Sequence, residues 1–376
     1  MRGRGGRAIQ PSFLPFLRED VRVTSLSDVE RDRAAQLLAG PRGRRVCAEV
    51  GMLTDPTLEW PFDATDRLTV DIFVDQLGAL DAARVAALAD PLALMRPLRA
   101  SVDSAMCWQE PDDRDALLRD PRVVAALDPV AQALAVAPAA HWWWAPLDLR
   151  QQAIVRWMEQ GRRRATRPHV TGTFESLERW RRDTVAAEAR AAREWPTAHD
   201  ANYSGSWWST PVHVNVTTTS RRINRLPAVQ LDLVEDSSGW DQARVAPVEI
   251  HPRRRVFEIA APSDWIDLVE RYPLDVDRSR RHDWWRATGG AGPWQIPAWP
   301  AVSQDYDAVH LAVIGYLSAA GRPLQTRSGQ TVLAGFDPDV TYWLTDSITR
   351  TAPLSTWRRA ELANYAYEWV PDTTAP

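Results

Sequence analysis

Four short stretches of this sequence carry side chains whose chemistry could combine. Trp207-Trp208-Ser209-Thr210 sets two hydroxyls directly after paired indoles, and Thr217 to Arg222 runs hydroxyls into two guanidinium groups. Asp305-Tyr306-Asp307 is followed closely by His310, and Asp337-Pro338-Asp339 puts two carboxylates ahead of a β-rich run. Guanidinium groups with hydroxyls suit a pyrophosphate, and stacked aromatics suit a planar base. A carboxylate beside them could stabilise a cationic sugar. Each group also has a plain structural alternative. Trp207 and Trp208 could be core, Asp305 and Asp307 could cap a turn, His310 could donate to a backbone carbonyl, and Asp337 could open an ordinary Asp-Pro turn.

These groups must be positioned by strand ends. Val309, Leu311 and Val313 read as a strand with His310 on its opposite face. Thr331 to Leu333 and Val340 to Leu344 read as two more strands, separated by Gly335 to Asp339. HVNVTTTSRRI alternates, with His213, Asn215 and Thr217 on one face, and AVQLDLVE alternates too. Arg255 to Ile259 reads as a short strand, and Ser263-Asp264-Trp265 opens a helix that ends near Arg271. HDWWRATGGAGPWQIPAWP has the composition of a loop forming a lid or pocket wall. Ser355 to Tyr367 reads as a helix ahead of a loose TTAP tail.

The first half of the chain reads as mostly helical. SLSDVERDRAAQLLAG is a helix with Ser27 or Asp28 as N-cap and Gly40 as its stop. Arg45 to Val50 and Leu68 to Val74 read as strands. Leu77 to Leu98 and Asp112 to Val136 are helical, with breaks expected at Pro91, Pro121 and Pro129. Leu149 to Gly161 and Thr171 to Glu194 read as two further helices. AHWWWAPLDL and SGSWWSTPVHV resemble each other weakly, as a repeat or as two strand starts with Trp plugs. The arginine run RRRATRPH at 162–169 reads as a solvated helix end or loop, with phosphate binding as its alternative. The resulting expectation is an α+β protein with a helix-rich region over 1–200 and a mixed-sheet domain over 201–376.

Composition removes several chemistries. All 45 basic residues other than histidine are arginine. That excludes a lysine Schiff base, a pyridoxal-phosphate site and a Walker lysine. A net charge of −4 gives no general attraction to nucleic acid. No apolar run reaches membrane-spanning length, and the basic N-terminus lacks the core of a signal peptide, so a cytoplasmic location is the default. The two cysteines, Cys47 and Cys107, read as buried thiols. Neither HExxH nor a Cys/His cluster with zinc spacing occurs, so no metal is expected. GxSxG is absent, and the glycines at 289–292 sit in the wrong context for a dinucleotide fold. The 19 tryptophans suit either a large aromatic core or a pocket for a flat ligand.

The order of motifs in the second half resembles an uncharacterised actinobacterial and phage family associated with the ADP-ribosyltransferase fold. The motifs are Trp208-Ser209-Thr210, the run Val256 to Pro273, Tyr306 to Leu311 and Gly335 to Leu344. The resemblance implies NAD as substrate, cleavage of the nicotinamide–ribose bond and transfer to an unknown acceptor. It implies that Ser209 and Thr210 form the hydroxyl motif and that Asp337 and Asp339 form the acidic pair. Asp339 would then stabilise the developing sugar cation, with His310 or Tyr306 lining the site. It also implies a first-strand cation, for which His213, Arg221 and His141 compete. An Asp stands where the family pattern more often has Glu. Two other expectations are a cofactor-free, Trp-lined protein that binds or converts a sugar or aromatic natural product, and a non-enzymatic interaction module.

Overall fold

The computed structural model describes residues 26–63, 66–159, 162–163, 172–212, 215–237, 239–362 and 367–373. His213, most of the 162–169 arginine run and the end of the TTAP tail lie outside them. The protein is α+β.

Helices lead. They are α1 (Asp28–Ala39), α2 (Pro41–Thr54), α3 (Arg67–Gly78), α4 (Ala82–Ala86), α5 (Met95–Asp103), α6 (Asp113–Leu117), α7 (Pro121–Ala126) and α8 (Asp128–Val136). Local signals start them. Ser27 accepts from the Glu30 amide while the Glu30 carboxylate reaches back, a complete capping box, and Gly40 ends α1. Pro121 and Pro129 sit in the first turns of α7 and α8, where their missing N–H costs nothing, so they begin helices rather than interrupt them.

Two expected strands here are helices instead. Arg45 to Val50 lies inside α2, which buries Arg42, Arg45, Val46, Cys47, Ala48 and Val50 on nearly all sides. Leu68 to Val74 lies inside α3, where the Asp66 cap and Val70, Phe73 and Leu77 at helical spacing override a short apparent alternation.

The sheet follows: β1 (Gln152–Glu159), β2 (Arg162–Arg163), α9 (Thr173–Glu194), β3 (Thr217–Arg221), β4 (Gln242–Ile250), β5 (Val256–Ile259), α10 (Pro262–Arg271), β6 (Pro273–Asp275) and α11 (Asp277–Thr288). The chain ends with β7 (Gln295–Pro297), α12 (Trp299–Asp305), β8 (Ala308–Leu311), α13 (Val313–Ala319), β9 (Leu324–Thr326), β10 (Gly329–Thr331), β11 (Val340–Trp343), β12 (Ile348–Thr351), β13 (Ser355–Glu361) and β14 (Tyr367–Pro371). The main sheet runs β14-β13-β4-β1-β3-β11-β8-β5, with β12 beside β4 and β2 beside β1. It is mixed: β5 and β8 pair in parallel, the other neighbours antiparallel. β1 comes from before residue 200, and one apolar core extends from Ala34 to Trp369.

Five other expectations change. The described part of Leu149 to Gly161, expected as a helix, holds β1 instead, with a β-branched pair and Trp157 near the middle of the sheet. AVQLDLVE holds only a 3-10 turn at Val229–Leu231. Thr331 to Leu333 contributes only Thr331, the last residue of β10. Of the stretch expected as a helix over Ser355 to Tyr367, all but one of the described residues belong to β13 or form the first residue of β14, which pairs with it antiparallel. The Trp/Gly/Pro loop begins as α11, which buries Ser279, Arg280, Arg281, His282 and Asp283 along with Trp284. Without an apolar stripe this helix has no sequence signature, and distant residues bond many of its polar side chains, though Arg280 Nε, His282 Nε2 and Arg286 Nε have no partner among the described residues. Asp283, for example, takes hydrogen bonds from Ser204 and the Gly205 amide.

Helix α13 seats on the end of β5. The Ile259 carbonyl accepts from the Ala312 amide at 3.0 Å. A Cβ built on Gly315 would stand 2.2 Å from the same oxygen. Gly315→Ala should therefore cost about 1–3 kcal/mol through overpacking. A urea midpoint equal to wild type would show that α13 can shift freely.

Candidate functional site

The strand register builds one polar row. Glu258 pairs with His310 across β5 and β8, and His310 with Thr341 across β8 and β11. Val340 pairs with Ser220, so the next residues outward, Asp339 and Arg221, stand opposite each other where the two strands meet. Side chains two apart in a strand share a face, which puts Glu258, His310, Asp339 and Arg221 together. His310 Nδ1 lies 2.5 Å from a Glu258 oxygen and Nε2 3.5 Å from Asp339. Asp339 accepts from the Arg221 amide at 2.9 Å and from Arg221 Nε at 3.1 Å. The Pro146-Leu147 backbone closes both ends: Arg221 donates to the Pro146 carbonyl, and the Leu147 amide donates to Glu258.

The row is sealed. His310 is 0% and Asp339 1% exposed. Burial pulls the imidazole pKa down, but Asp339 and Glu258 outweigh it and push it up to about 9. The row is two anions and two cations, each answered by its neighbour.

A second network surrounds the turn before β11. The Ser209 hydroxyl donates to the Ala334 carbonyl and accepts from its amide, and Thr210 donates to the Gly335 carbonyl. Trp208 packs against Gly335, where an added Cβ would come within 2.6 Å of the indole. Asp337 points away from Asp339, accepting from the Glu235 amide at 2.9 Å and from Gln230 at 3.2 Å. Glu235 accepts from the Gly335 amide and from Tyr316. Burial raises Glu235 to about 8, helped by the Asp337 charge, and burial raises Asp337 to about 6.

Trp208, Ser209, Thr210, Arg221, His310, Asp337 and Asp339 therefore gather near one end of β3, β8 and β11. The acidic pair is split, because Pro338 and a positive φ at Asp339 turn the two carboxylates toward different partners. Tyr306 is elsewhere. It lies five residues before Leu311, whose carbonyl meets the Asp339 amide. At ~3.3 Å per residue that is roughly 16 Å along β8. There its hydroxyl accepts from Arg271 and its ring meets Phe257. His141 is exposed on a 3-10 turn.

A cleft that sequence reasoning missed lies between α5, the segment around Arg225 and Leu226, and β14. It measures about 170 Å³. Tyr367 forms part of its wall, held between the guanidinium groups of Arg99 and Arg359 at 3.7 and 3.5 Å from the ring centre. Arg99 pairs with Asp232 at 2.9 Å, and burial still holds the Asp232 carboxyl above its usual range. The Trp369 indole N–H, buried beside the cleft, has no acceptor. Arg96 and Arg225 are exposed along it, and among the described residues neither has an ion-pair partner. Trp157 and Trp240 stack at 4.7 Å behind this wall, lining a smaller pocket that shares Arg99, Tyr367 and Trp369. The signal available in sequence was only the aromatic and arginine content of three distant segments.

Among the described residues no group of three or more His, Cys, Asp or Glu side chains is arranged to hold a metal ion. No single described helix is long and apolar enough to cross a membrane. Comparison with protein-family models, curated proteins and solved structures gives no match.

Proposed function

We propose that this protein binds a small planar anion, such as a one-ring aromatic carboxylate, in the cleft between α5 and β14. The meeting in one cleft of the Tyr367 and Trp369 rings with two arginines that lack an ion-pair partner among the described residues carries the reading. Arg96 and Arg225 supply charge for a carboxylate at the mouth, and Leu92, Met95 and Leu226 supply apolar contact for a ring. At about 170 Å³ the cleft is smaller than the several hundred Å³ usual for drug-sized ligands, so one ring is the fitting size.

Tryptophan fluorescence titrated with benzoate, salicylate and anthranilate tests this. At least one should quench saturably, and Arg225→Glu should weaken it about tenfold, with Trp369→Phe also weakening it. Absence of saturable quenching by all three, or affinity unchanged in both variants, rejects the cleft as the site.

A second reading is cleavage of NAD at the nicotinamide–ribose bond, as the resemblance implies. The gathering of Ser209, Thr210, Arg221 and Asp339 favours it. It requires the Pro146-Leu147 segment to lift, since Asp339 is enclosed, or Asp337 to serve as the acid. Nicotinamide release should then fall in Asp337→Asn or Asp339→Asn, compared at a temperature where each variant is folded. Equal release by both variants and wild type removes both acids from such a mechanism.

A further inference from the structure

One face of the sheet carries a charge pattern that core packing does not explain. On β1 and β4, Ile154, Ala246 and Val248 form a small apolar cluster of their own, apart from the main core. Two residues further along β1 the same face changes to arginine. Register sets Arg156 directly opposite Arg244 on β4, and Arg244 opposite Thr356 on β13. Arg358, two residues beyond Thr356, shares the face and lies on a diagonal from Arg244. Arg156 and Arg358 are exposed, and Arg244 is half-buried. Like charges held directly opposite each other, about 5 Å apart at Cβ, repel. Neither Arg244 nor Arg358 has a carboxylate within ion-pair reach among the described residues, and Glu368, diagonal to Arg358 on β14, makes no ion pair with it.

The opposite charge is concentrated around α3. Residues 55–81 hold seven acids and one arginine, a net charge of −6 where the whole chain has −4. The helix carries apolar groups on two faces. Val70, Phe73 and Leu77 are buried. Leu68, Asp71, Ile72 and Asp75 fall at i, i+3, i+4 and i+7 on another face, where Leu68 is 68% and Ile72 51% exposed. Asp71 reaches Arg122, whereas Asp75 has no ion-pair partner among the described residues. This is an acidic and apolar helix face with nothing in the described chain packed on Leu68 and Ile72 closely enough to bury them.

We propose that these two surfaces bind each other between copies of this chain, with α3 of one copy lying across the β1-β4-β13 face of the next. The acids of α3 would answer the arginines. Leu68 and Ile72 would cover the arginine stems and Met158, which shares their face. Helix on sheet is a stable layer arrangement. Neither surface suits a second copy of itself, because like charges would meet. None of Arg156, Arg244, Arg358, Leu68 and Asp75 lines the α5–β14 cleft, so the contact stands or falls independently of the reading above.

Sedimentation equilibrium at low ionic strength tests it. The wild-type mass should exceed that of one chain, rise with concentration, and fall back to one chain in 1 M salt, where the screening length is about 3 Å. Arg244→Ser with Arg358→Ser, and separately Leu68→Ser with Asp75→Arg, should each sediment as single chains. Leu68, Asp75 and Arg358 are exposed, and replacing Arg244 relieves its repulsion with Arg156, so both variants should melt no lower than wild type. Mixed in equal amounts, the two variants should associate again and stop at two chains, because one keeps α3 and the other keeps the arginine face. Wild type that stays a single chain at every concentration overturns the contact. Association undiminished in either variant, which would assign the remaining surface to another partner face, overturns it too, as does a mixture that stays at single chains.

Discussion

Asp339→Asn is expected to lower folding stability by about 3–5 kcal/mol, the usual cost of removing one partner from a buried ion pair. The substitution is chosen to isolate charge. Asp339 has φ +57°, a left-handed conformation that Asn accepts as readily as Asp, so backbone strain does not change. What changes is the balance of the row. Arg221 and a protonated His310 are left in the interior with Glu258 as the one remaining carboxylate among the four. The Arg221 backbone amide also faces an amide side chain that must turn its oxygen inward to accept. Urea unfolding at pH 7 measures the effect. A loss below about 1 kcal/mol would mean that water enters the row and screens it, contrary to its burial. The size of this effect governs how the NAD reading is tested: activity lost in Asp339→Asn carries weight only while the variant is folded.

The second large effect is a fall in stability as pH rises from about 6 to 9. His310 titrates near 9 when folded, against 6.5 for an ordinary histidine. Above pH 6.5 the folded chain retains a proton that the unfolded chain has released, so raising the pH favours unfolding. The contribution is full below 6.5 and is lost as pH climbs through 9. A displacement of that size corresponds to about 3 kcal/mol. Glu235 acts in the same direction. Burial lifts it from 4.5 to about 8, so it folds as the neutral acid, and the unfolded state gains from losing the proton. Asp337, raised to about 6, adds the same slope at lower pH. Urea midpoints at pH 6, 7.5 and 9 should fall steadily. Glu235→Gln keeps a neutral group of similar shape and should remove part of the slope above pH 6, leaving the part that belongs to His310. A flat or rising profile would show that His310 and Glu235 are charged otherwise than their surroundings dictate.

Wherever a signal is carried within a turn or two of chain, the sequence alone determined the element. Ser27 with Glu30 and Gly40 bounds α1, and Thr171 to Glu194 marks α9 within two residues. The apolar runs ending at Ile259 and starting at Val340 mark β5 and β11, and Val309 and Leu311 mark β8, although Val313, expected in the same strand, opens α13. The arginine-only basic content ruled out lysine chemistry before any fold was known. Strand register then required tertiary structure, because it depends on which strands pair, and pairing partners lie far apart in the chain, as Thr217 does from Trp343 across β3 and β11. Register alone decides that Arg221 and His310 both meet Asp339 while Tyr306 does not. Helix α11 was hidden because its buried face is polar, bonded in part to distant residues instead of forming an apolar stripe. β1 and β13 were hidden because helix-tolerant composition gave way to partners on either side. The two acids around Pro338 read as a pair in one dimension. In three dimensions they separate, because a left-handed residue turns one toward the sheet and leaves the other facing Gln230 and Glu235.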